Sequence, residues 1–170
     1  MKKFEEILDL VDHNDCVIKT IPLSLAYQQN LCSQIRSVWL IIKNDEGKLW
    51  IPRRSFNVER LPGYLDGSVA GHVRSGETYE QALLREVQEE IGYNLQFHEY
   101  RLLGKLTPNE HKSFSFASVY EYVTKQAPEN WNRHDIGEWY WMSPQEIIDR
   151  CQNGEKAKSI LPLIIEYFYK

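Results

Sequence analysis

Residues 71 to 93 read GHVRSGETYEQALLREVQEEIGY, and this stretch decides how the rest of the chain is interpreted. Thr78 followed three residues later by Gln81 is a capping-box pattern, which marks the start of a helix. Gly92 supplies a stop signal. The sequence therefore predicts a helix from about Tyr79 to Ile91. Its apolar residues recur at near-helical spacing: Ala82, Leu83, Val87 and Ile91.

Three carboxylates lie on one face of that predicted helix. Glu86, Glu89 and Glu90 stand at i, i+3 and i+4, so their side chains are neighbours on the helix surface. Their mutual repulsion is unfavourable unless a positive charge lies among them, and sets of carboxylate oxygens select hard divalent cations such as Mg²⁺ or Mn²⁺. An exposed acidic face has the same spacing and is common. The spacing alone leaves both interpretations open.

The wider pattern resembles the Nudix box, the signature of the Nudix hydrolase family. Every fixed position of the signature is present, and a chance match in a chain of this length is on the order of one in a million. Tyr93 differs from the signature, because the family usually has an aliphatic residue at this position. The difference affects local packing. The pattern runs, in chain order, through Gly71, Glu77, Arg85, Glu86, Val87, Glu89, Glu90 and Gly92.

The resemblance implies a fold and a reaction. The fold class is α/β, an α/β/α sandwich with a mixed β-sheet. The implied enzyme is a pyrophosphohydrolase that cleaves a diphosphate linkage, typically in a nucleoside diphosphate joined to another moiety, by attack of water on phosphorus. Because diphosphate oxygens repel a nucleophile, a cation such as Mg²⁺ or Mn²⁺ has to neutralise them.

The resemblance also assigns roles to single residues of the box. Glu86, Glu89 and Glu90 would be metal ligands, and Gly71 would add its carbonyl oxygen. Arg85 would orient Glu86. The catalytic group implied in this way comprises Glu86, Arg85 and Glu89.

A carboxylate has to take a proton from the attacking water. Family members differ in which carboxylate does so, and Glu86 is our first candidate. A later carboxylate, Glu110 or Glu138, is an alternative, although plain surface charge accounts equally for either residue.

Four residues are candidates for binding the substrate. Arg53 and Arg54 end a predicted strand that faces the glycine-containing loop, where they could grip a phosphate; a solvated strand end is the simpler interpretation. His72 follows Gly71 at the edge of the site, although packing also explains a lone histidine. Glu77 would support the site from its loop.

Upstream of the box, the chain resembles the Nudix branch that includes isopentenyl-diphosphate isomerase and its hydrolase-like relatives. That isomerase has a catalytic cysteine where this chain has Ala70, and its early histidine ligands are missing because no histidine lies between Asn14 and Gly71. Allylic isomerisation therefore lacks its acid or base. Hydrolysis is favoured, with an isomerase-like protein and a catalytically inactive nucleotide-binding module as the alternatives.

Composition narrows the partners. The chain has 170 residues, of which 42% are hydrophobic, and 20 Lys and Arg against 24 Asp and Glu give 20 − 24 = −4. A protein with this net negative charge does not attract a nucleic acid polymer electrostatically, so we expect a small phosphorylated substrate. The longest apolar run, Val38 to Ile42, is too short to cross a membrane. We expect a cytoplasmic protein with three reduced cysteines, and a homodimer stays open.

The length suits a single Nudix hydrolase domain over residues 1–170, with residues 1–35 as an N-terminal extension packing on it. Besides the helix in the box, the pattern predicts strands and helices that are interleaved along the chain. The predicted strands cover residues 36–43, 48–53, 66–70, 113–123 and 138–142, and the predicted helices cover residues 1–11, 24–31, 144–151 and 156–170.

Overall fold

The structure, a computed structural model, describes residues 5–170. Its strands are β1 (Ile7–Val11), β2 (Val17–Pro22), β3 (Arg36–Lys43), β4 (Leu49–Arg54), β5 (Val69–His72), β6 (Tyr100–Leu106), β7 (Phe116–Val123) and β8 (Ile136–Met142). Its α-helices are α1 (Leu23–Gln28), α2 (Tyr79–Ile91), α3 (Pro108–His111), α4 (Pro144–Gln152) and α5 (Ile160–Phe168). None of the helices within residues 5–170 is both long and apolar enough to span a bilayer.

Strand β3 organises the main sheet, whose order is β6-β7-β3-β4-β8. It pairs in parallel with β7 along its whole length, and antiparallel with β4 and with β5. The sheet is therefore mixed. Strand β5 pairs with the first half of β3, which places Gly71 opposite Val38.

The two faces of the sheet carry separate helical layers because side chains alternate along a strand. Trp39 and Ile41 of β3 pack on one face with α4 and α5, whereas Val38, Leu40 and Ile42 pack on the other face with α2. Buried apolar side chains fill both interfaces. The predicted α/β/α sandwich with a mixed sheet is confirmed.

Helix α2 begins and ends where the sequence predicts. The Thr78 hydroxyl accepts a hydrogen bond from the Gln81 amide at 3.1 Å, and the Gln81 side chain accepts one from the Thr78 amide at 2.9 Å. Gly92 closes the helix in the left-handed conformation, with φ of 70°. Glu86 lies among the buried residues of this helix, so the fold carries a carboxyl group into its interior.

The prediction of a helix over residues 1–11 is wrong where the structure describes it, because Ile7–Val11 is strand β1; residues 1–4 lie outside the described residues. A short helix is marginal by itself, and pairing with β2 satisfies the backbone instead. Strand β6, over Tyr100–Leu106, has no counterpart in the prediction. The strand predicted over residues 66–70 lies at Val69–His72.

The hairpin of β1 and β2 is fastened to the loop between β5 and α2. The Ser75 amide donates to the Ile7 carbonyl at 2.7 Å, and the Asp9 carboxylate accepts from the Ser75 hydroxyl at 2.7 Å and from the Gly76 amide at 3.1 Å. Buried side chains of the hairpin pack with those of the following segment in a third apolar cluster. The N-terminal segment thus contacts the loop that precedes the acidic helix.

Asp15 connects the turn of this hairpin to three parts of the fold. Its carboxylate accepts from Arg36 Nε at 2.6 Å, from the Tyr79 hydroxyl at 2.9 Å and from Lys105 Nζ at 2.5 Å. Burial raises the pKa of the Asp15 carboxyl, but hydrogen bonds from Lys105, Arg36 and Tyr79 outweigh burial and hold the pKa below its ordinary value.

We predict that Asp15→Asn lowers the free energy of unfolding at pH 7 by about 1 kcal/mol, a hydrogen-bonded ion-pair contribution discounted for solvent screening. Asn tolerates the positive φ of 63° found at Asp15, so the variant changes the charge and spares the backbone. Because the folded-state pKa is depressed, this stabilisation is present above the unfolded-state pKa and is lost as the pH falls through the folded-state pKa.

Urea unfolding at several pH values measures the effect, with Asp45→Asn as the matched control. The Asp45 carboxylate forms an exposed ion pair with Lys125 at 3.5 Å. Removing its charge should therefore leave the free energy of unfolding almost unchanged. An Asp15→Asn variant as stable as the parent at pH 7 would contradict the role given to this carboxylate.

Candidate active site

Strand β5 and helix α2 bring the first parts of the site together. A Cβ atom placed on Gly71 would lie 2.1 Å from Glu86 Cδ, closer than real Cβ contacts allow. Only glycine therefore fits at this position while the Glu86 carboxyl keeps its place. The requirement explains physically why a glycine stands here, next to a carboxyl group of the helix.

Arg85 links three segments of the site. Its guanidinium donates to both oxygens of Glu77, at 2.7 and 2.9 Å, to Glu86 Oε1 at 2.5 Å, and to the backbone carbonyl of His72 at 2.9 Å. Burial raises the pKa of the Glu77 carboxyl. The hydrogen bonds from the Arg85 side chain and the Arg74 amide, with the positive charges of both arginines, outweigh burial and hold the pKa below its ordinary value. Glu77 is thus an ionised partner that aims Arg85 at Glu86.

Two carboxyl groups of α2 are withdrawn from solvent, Glu86 as a buried residue and Glu90 as a half-buried one. Glu86 is only 7% exposed, and burial raises the pKa of its carboxyl against the opposing charge of Arg85. Burial also raises the pKa of Glu90 well above its ordinary value, and the negative charges of Glu86 and Asp66 act in the same direction. Glu90 accepts a long hydrogen bond of 3.4 Å from the Ala70 amide. The fold therefore confines two like charges at unfavourable cost.

Glu89, the third carboxylate of the predicted set, faces outward. Its side chain is 49% exposed and lies 3.6 Å from guanidinium nitrogens of both Arg74 and Arg85. Within residues 5–170, no three acidic, His or Cys side chains converge on a point that a metal ion could occupy. The structure brings Gly71, Glu86 and Glu90 to one region and turns Glu89 toward the arginines.

The residues present fit a hard divalent cation. Glu86, which is buried, and Glu90, which is half-buried, create a local need for positive charge, and they supply the oxygen atoms that Mg²⁺ and Mn²⁺ prefer. Gly71 leaves the space that the Glu86 carboxyl occupies. Glu89 stands one turn from Glu86 on the exposed side, where a rotation of its side chain would add a further oxygen.

A cavity of about 1380 Å³ opens beside these carboxyl groups. This volume exceeds the usual range for small-ligand pockets, which is roughly 300 to 1000 Å³. The wall combines acidic, basic and aromatic side chains. Residues of the box that line it are Gly71, His72, Arg74, Ser75, Glu86, Glu89 and Glu90, and residues from elsewhere include Tyr27, Trp39, Arg54, Arg60, Phe114 and Lys158.

The two arginines predicted to bind substrate separate in the structure. Arg54 lines the cavity, whereas Arg53 does not belong to its wall within the described part of the chain. Arg53 instead donates to Glu138 at 2.7 Å, to the Gly63 carbonyl at 3.0 Å and to Glu155. Its donors therefore serve an ion-pair network, and Arg54 is the better placed of the two for a ligand.

His72 lies on the cavity wall in a packed setting. Its Nε2 is 3.1 Å from the Tyr27 hydroxyl, and its Nδ1 is 3.7 Å from Glu6. Burial lowers the pKa of the imidazole to about 4, with the positive charges of Lys158, Arg60 and Arg85 acting against Glu6. The ring is therefore neutral near pH 7, so one of its nitrogen atoms can donate a hydrogen bond and the other can accept one.

The later carboxylates considered as bases lie away from the site. Glu138 accepts from Arg53, and Glu110 lies in the short helix α3; neither belongs to the cavity wall among residues 5–170. The sequence-based interpretation missed Glu6, Tyr27 and Lys158, which do line the cavity. They are distant from the box along the chain, and no local pattern signals their approach.

We predict that Glu90→Gln raises the free energy of unfolding in EDTA at pH 7 by about 1 kcal/mol, because it removes a half-buried negative charge that lies beside the buried carboxyl group of Glu86. The folded-state pKa of Glu90 is raised, so folded protein binds more protons than the unfolded chain at pH values above about 4.5. Metal-free stability of the parent should therefore fall as the pH rises from that value, and less so in the variant.

Thermal unfolding with EDTA and with millimolar Mg²⁺ measures the effect. The cation should raise the melting temperature of the parent more than that of Glu90→Gln, because a ligand stabilises the state that binds it. Glu80→Gln, on the exposed first turn of α2, is the control and should respond to Mg²⁺ like the parent. Lower stability of Glu90→Gln in EDTA with an undiminished Mg²⁺ response would contradict the assignment.

Comparison with known proteins gives one consistent result. The sequence model of the NUDIX domain matches residues 33–164. An uncharacterised Nudix hydrolase of Nostoc sp. PCC 7120 is 44% identical over 164 residues, which cover 96% of each chain. A Nudix hydrolase of Deinococcus radiodurans is 35% identical over 170 residues, covering 98% of this chain and 95% of the relative.

The fold has a counterpart among solved structures. The crystal structure of DR0079 from Deinococcus radiodurans superposes with a TM-score of 0.86 and 34% sequence identity. The superposition covers 97% of this chain and 100% of that chain. The likeness therefore includes the N-terminal hairpin, which lies outside the stretch matched by the domain model.

Proposed function

The chain belongs to the NUDIX family of hydrolases, and on that premise we propose that it cleaves the diphosphate linkage of a nucleoside diphosphate joined to another moiety, with Mg²⁺ or Mn²⁺ as cofactor. The observation that carries this proposal is the buried carboxyl group of Glu86 together with the half-buried carboxyl group of Glu90, beside Gly71 in the wall of a large cavity. A merely structural helix has no reason to withdraw two like charges from solvent.

The proposed metal ligands are Glu86, Glu89, Glu90 and the carbonyl of Gly71. When bound, the cation would neutralise negative charge on the diphosphate oxygens and thereby favour attack at phosphorus. Arg85 acts through Glu86, because its guanidinium holds that carboxyl in place. Removing this hydrogen bond frees Glu86 to rotate, so Arg85 is a positioning residue.

Glu86 remains our first candidate for the general base. Burial raises the pKa of its carboxyl, and a raised pKa makes a carboxylate a better proton acceptor near neutral pH. Glu89 is the alternative within the same cluster, since its exposed side chain can reach a water molecule in the cavity. The base takes the proton that the attacking water loses as its oxygen bonds to phosphorus.

The cavity wall supports an organic diphosphate as the substrate. Arg54 offers positive charge for phosphate, and the neutral His72 ring offers hydrogen bonds. Phe114 is 44% exposed and provides an aromatic surface for a base or another apolar group; its ring stacks on Tyr27, with ring centroids 6.3 Å apart and an interplanar angle of 28°. Glu77 supports the site indirectly, through Arg85.

Hydrolysis is preferred to allylic isomerisation because of Ala70. This residue lines the cavity beside Gly71, and its methyl side chain can neither donate nor accept a proton at carbon. We predict that the protein does not introduce deuterium from D₂O into isopentenyl or dimethylallyl diphosphate. Enzymatic deuterium uptake by purified protein, measured by NMR, would overturn this preference.

A substrate screen in water enriched in ¹⁸O tests the proposed reaction. The candidates are nucleotide sugars, ADP-ribose, dinucleoside polyphosphates, coenzyme A, nucleoside triphosphates and prenyl diphosphates, each with Mg²⁺, with Mn²⁺ and with EDTA. We expect cation-dependent cleavage that places ¹⁸O in a phosphate group of the product, because water attacks phosphorus. Glu86→Gln should reduce kcat at least about a hundredfold, and Glu80→Gln should not.

Two results would count against the proposed function. The first is the absence of cleavage for every compound in the screen. The second is a cleavage whose ¹⁸O label appears in a hydroxyl group bonded to carbon and in no phosphate group, since that label indicates attack on carbon.

A further inference from the structure

We propose that Arg54, Arg60 and Lys158 form an anion-binding wall, which holds one phosphate group of a diphosphate substrate across the cavity from the acidic helix. This inference rests on the proposed function, because it assumes a substrate with two phosphate groups. All three cations line the same cavity as Glu86, Glu89 and Glu90.

Lys158 is held in place by its own backbone. The Leu65 amide donates to the Lys156 carbonyl and the Lys158 amide donates to the Leu65 carbonyl, both at 2.9 Å. These two bonds fix the segment that precedes α5 against the segment that precedes β5. The ammonium group of Lys158 then lies 2.6 Å from Asp66 Oδ2 and 5.5 Å above the Trp39 ring.

Asp66 serves two cations at once. The same oxygen that contacts Lys158 lies 3.4 Å from Arg54 Nη1, and Asp66 is only 7% exposed. One carboxylate therefore aligns two positive charges and neutralises the equivalent of one. The remaining charge of this trio favours an anion in the cavity.

Arg60 extends the wall and does not share that carboxylate. Its guanidinium carbon lies 3.3 Å from the centroid of the Tyr27 ring, and within residues 5–170 it forms no ion pair with Asp or Glu. Its backbone carbonyl accepts from Arg54 Nε at 3.1 Å and from Arg54 Nη2 at 3.0 Å, which ties the two residues together. Stacking orients the guanidinium and leaves its N–H groups for a ligand.

The charged side chains of the cavity wall come from different segments. Helix α2 supplies Glu86, Glu89 and Glu90, whereas segments outside it supply Arg54, Arg60 and Lys158. A diphosphate suits this division, because a cation on the carboxylates can hold one phosphate while Arg and Lys hold the other. A monophosphate can satisfy only one wall at a time.

Binding of methylenediphosphonate, a diphosphate analogue that resists hydrolysis, tests the inference. Calorimetry with Mn²⁺ should show that the parent binds methylenediphosphonate more tightly than inorganic phosphate. Arg60→Met and Lys158→Met should each weaken methylenediphosphonate binding about tenfold, with a similar rise in KM for the best screened substrate and kcat within about threefold of the parent. Lys158→Arg should restore most of the affinity.

Lys48→Met is the matched control, because Lys48 makes an exposed contact of 3.4 Å with Glu46 and does not line the cavity wall described here. Affinity for Mn²⁺ alone should stay level or increase in both test variants, since each loses a positive charge. Arg60 is exposed, so Arg60→Met keeps the test valid if Lys158→Met disturbs folding through Asp66.

Affinities and KM values within twofold of the parent in Arg60→Met, and in Lys158→Met if it folds, would overturn the inference. Hydrolysis by the parent together with that result would leave the proposed function standing. Cation-dependent binding of methylenediphosphonate that both variants weaken, without hydrolysis of any compound, would support the wall and count against the proposed hydrolysis.

Discussion

The geometry of the site depends on one guanidinium group. Arg85 donates to Glu77, to Glu86 and to the backbone of His72, so it joins a loop, the acidic helix and a sheet strand in one network. It also compensates Glu86, one of two neighbouring carboxyl groups that the fold withdraws from solvent. The second, on half-buried Glu90, has no comparable cationic hydrogen-bond partner within residues 5–170; burial raises its pKa, and the negative charges of Glu86 and Asp66 act in the same direction. The site thus concentrates negative charge on the cavity side of α2.

The sheet gives this cluster its rigid support. Strand β3 pairs with β5, which places Gly71 against the Glu86 carboxyl, and α2 packs on the same face of the sheet. Other parts of the cavity wall come from segments far away in the chain: the loop before β5, the segment before α5, and the N-terminal hairpin with α1. Charges of both signs therefore line one cavity because the topology, and not local sequence, brings these segments together.

Local signals predict the acidic helix well, because its capping box, apolar spacing and terminal glycine all act within a few residues. The same holds for the pair of strands β3 and β4, which a short turn joins. Strands β1 and β6 each pair with the next strand along the chain and still escape prediction, because strand formation depends more on packing context than on local propensity. The site divides in the same way: the box marks Gly71 and the glutamates, whereas nothing near Arg60 or Lys158 in sequence indicates that they share its cavity.

Anomalous diffraction at the manganese edge, from crystals of the protein soaked in Mn²⁺, would locate the cation. We expect an anomalous peak between the Gly71 carbonyl and the carboxylates of Glu86 and Glu90, with Glu89 turned toward it. The peak should vanish in Glu90→Gln crystals treated in the same way. Manganese bound elsewhere, with Glu86 and Glu90 free of metal, would contradict a metal-binding role for this helix.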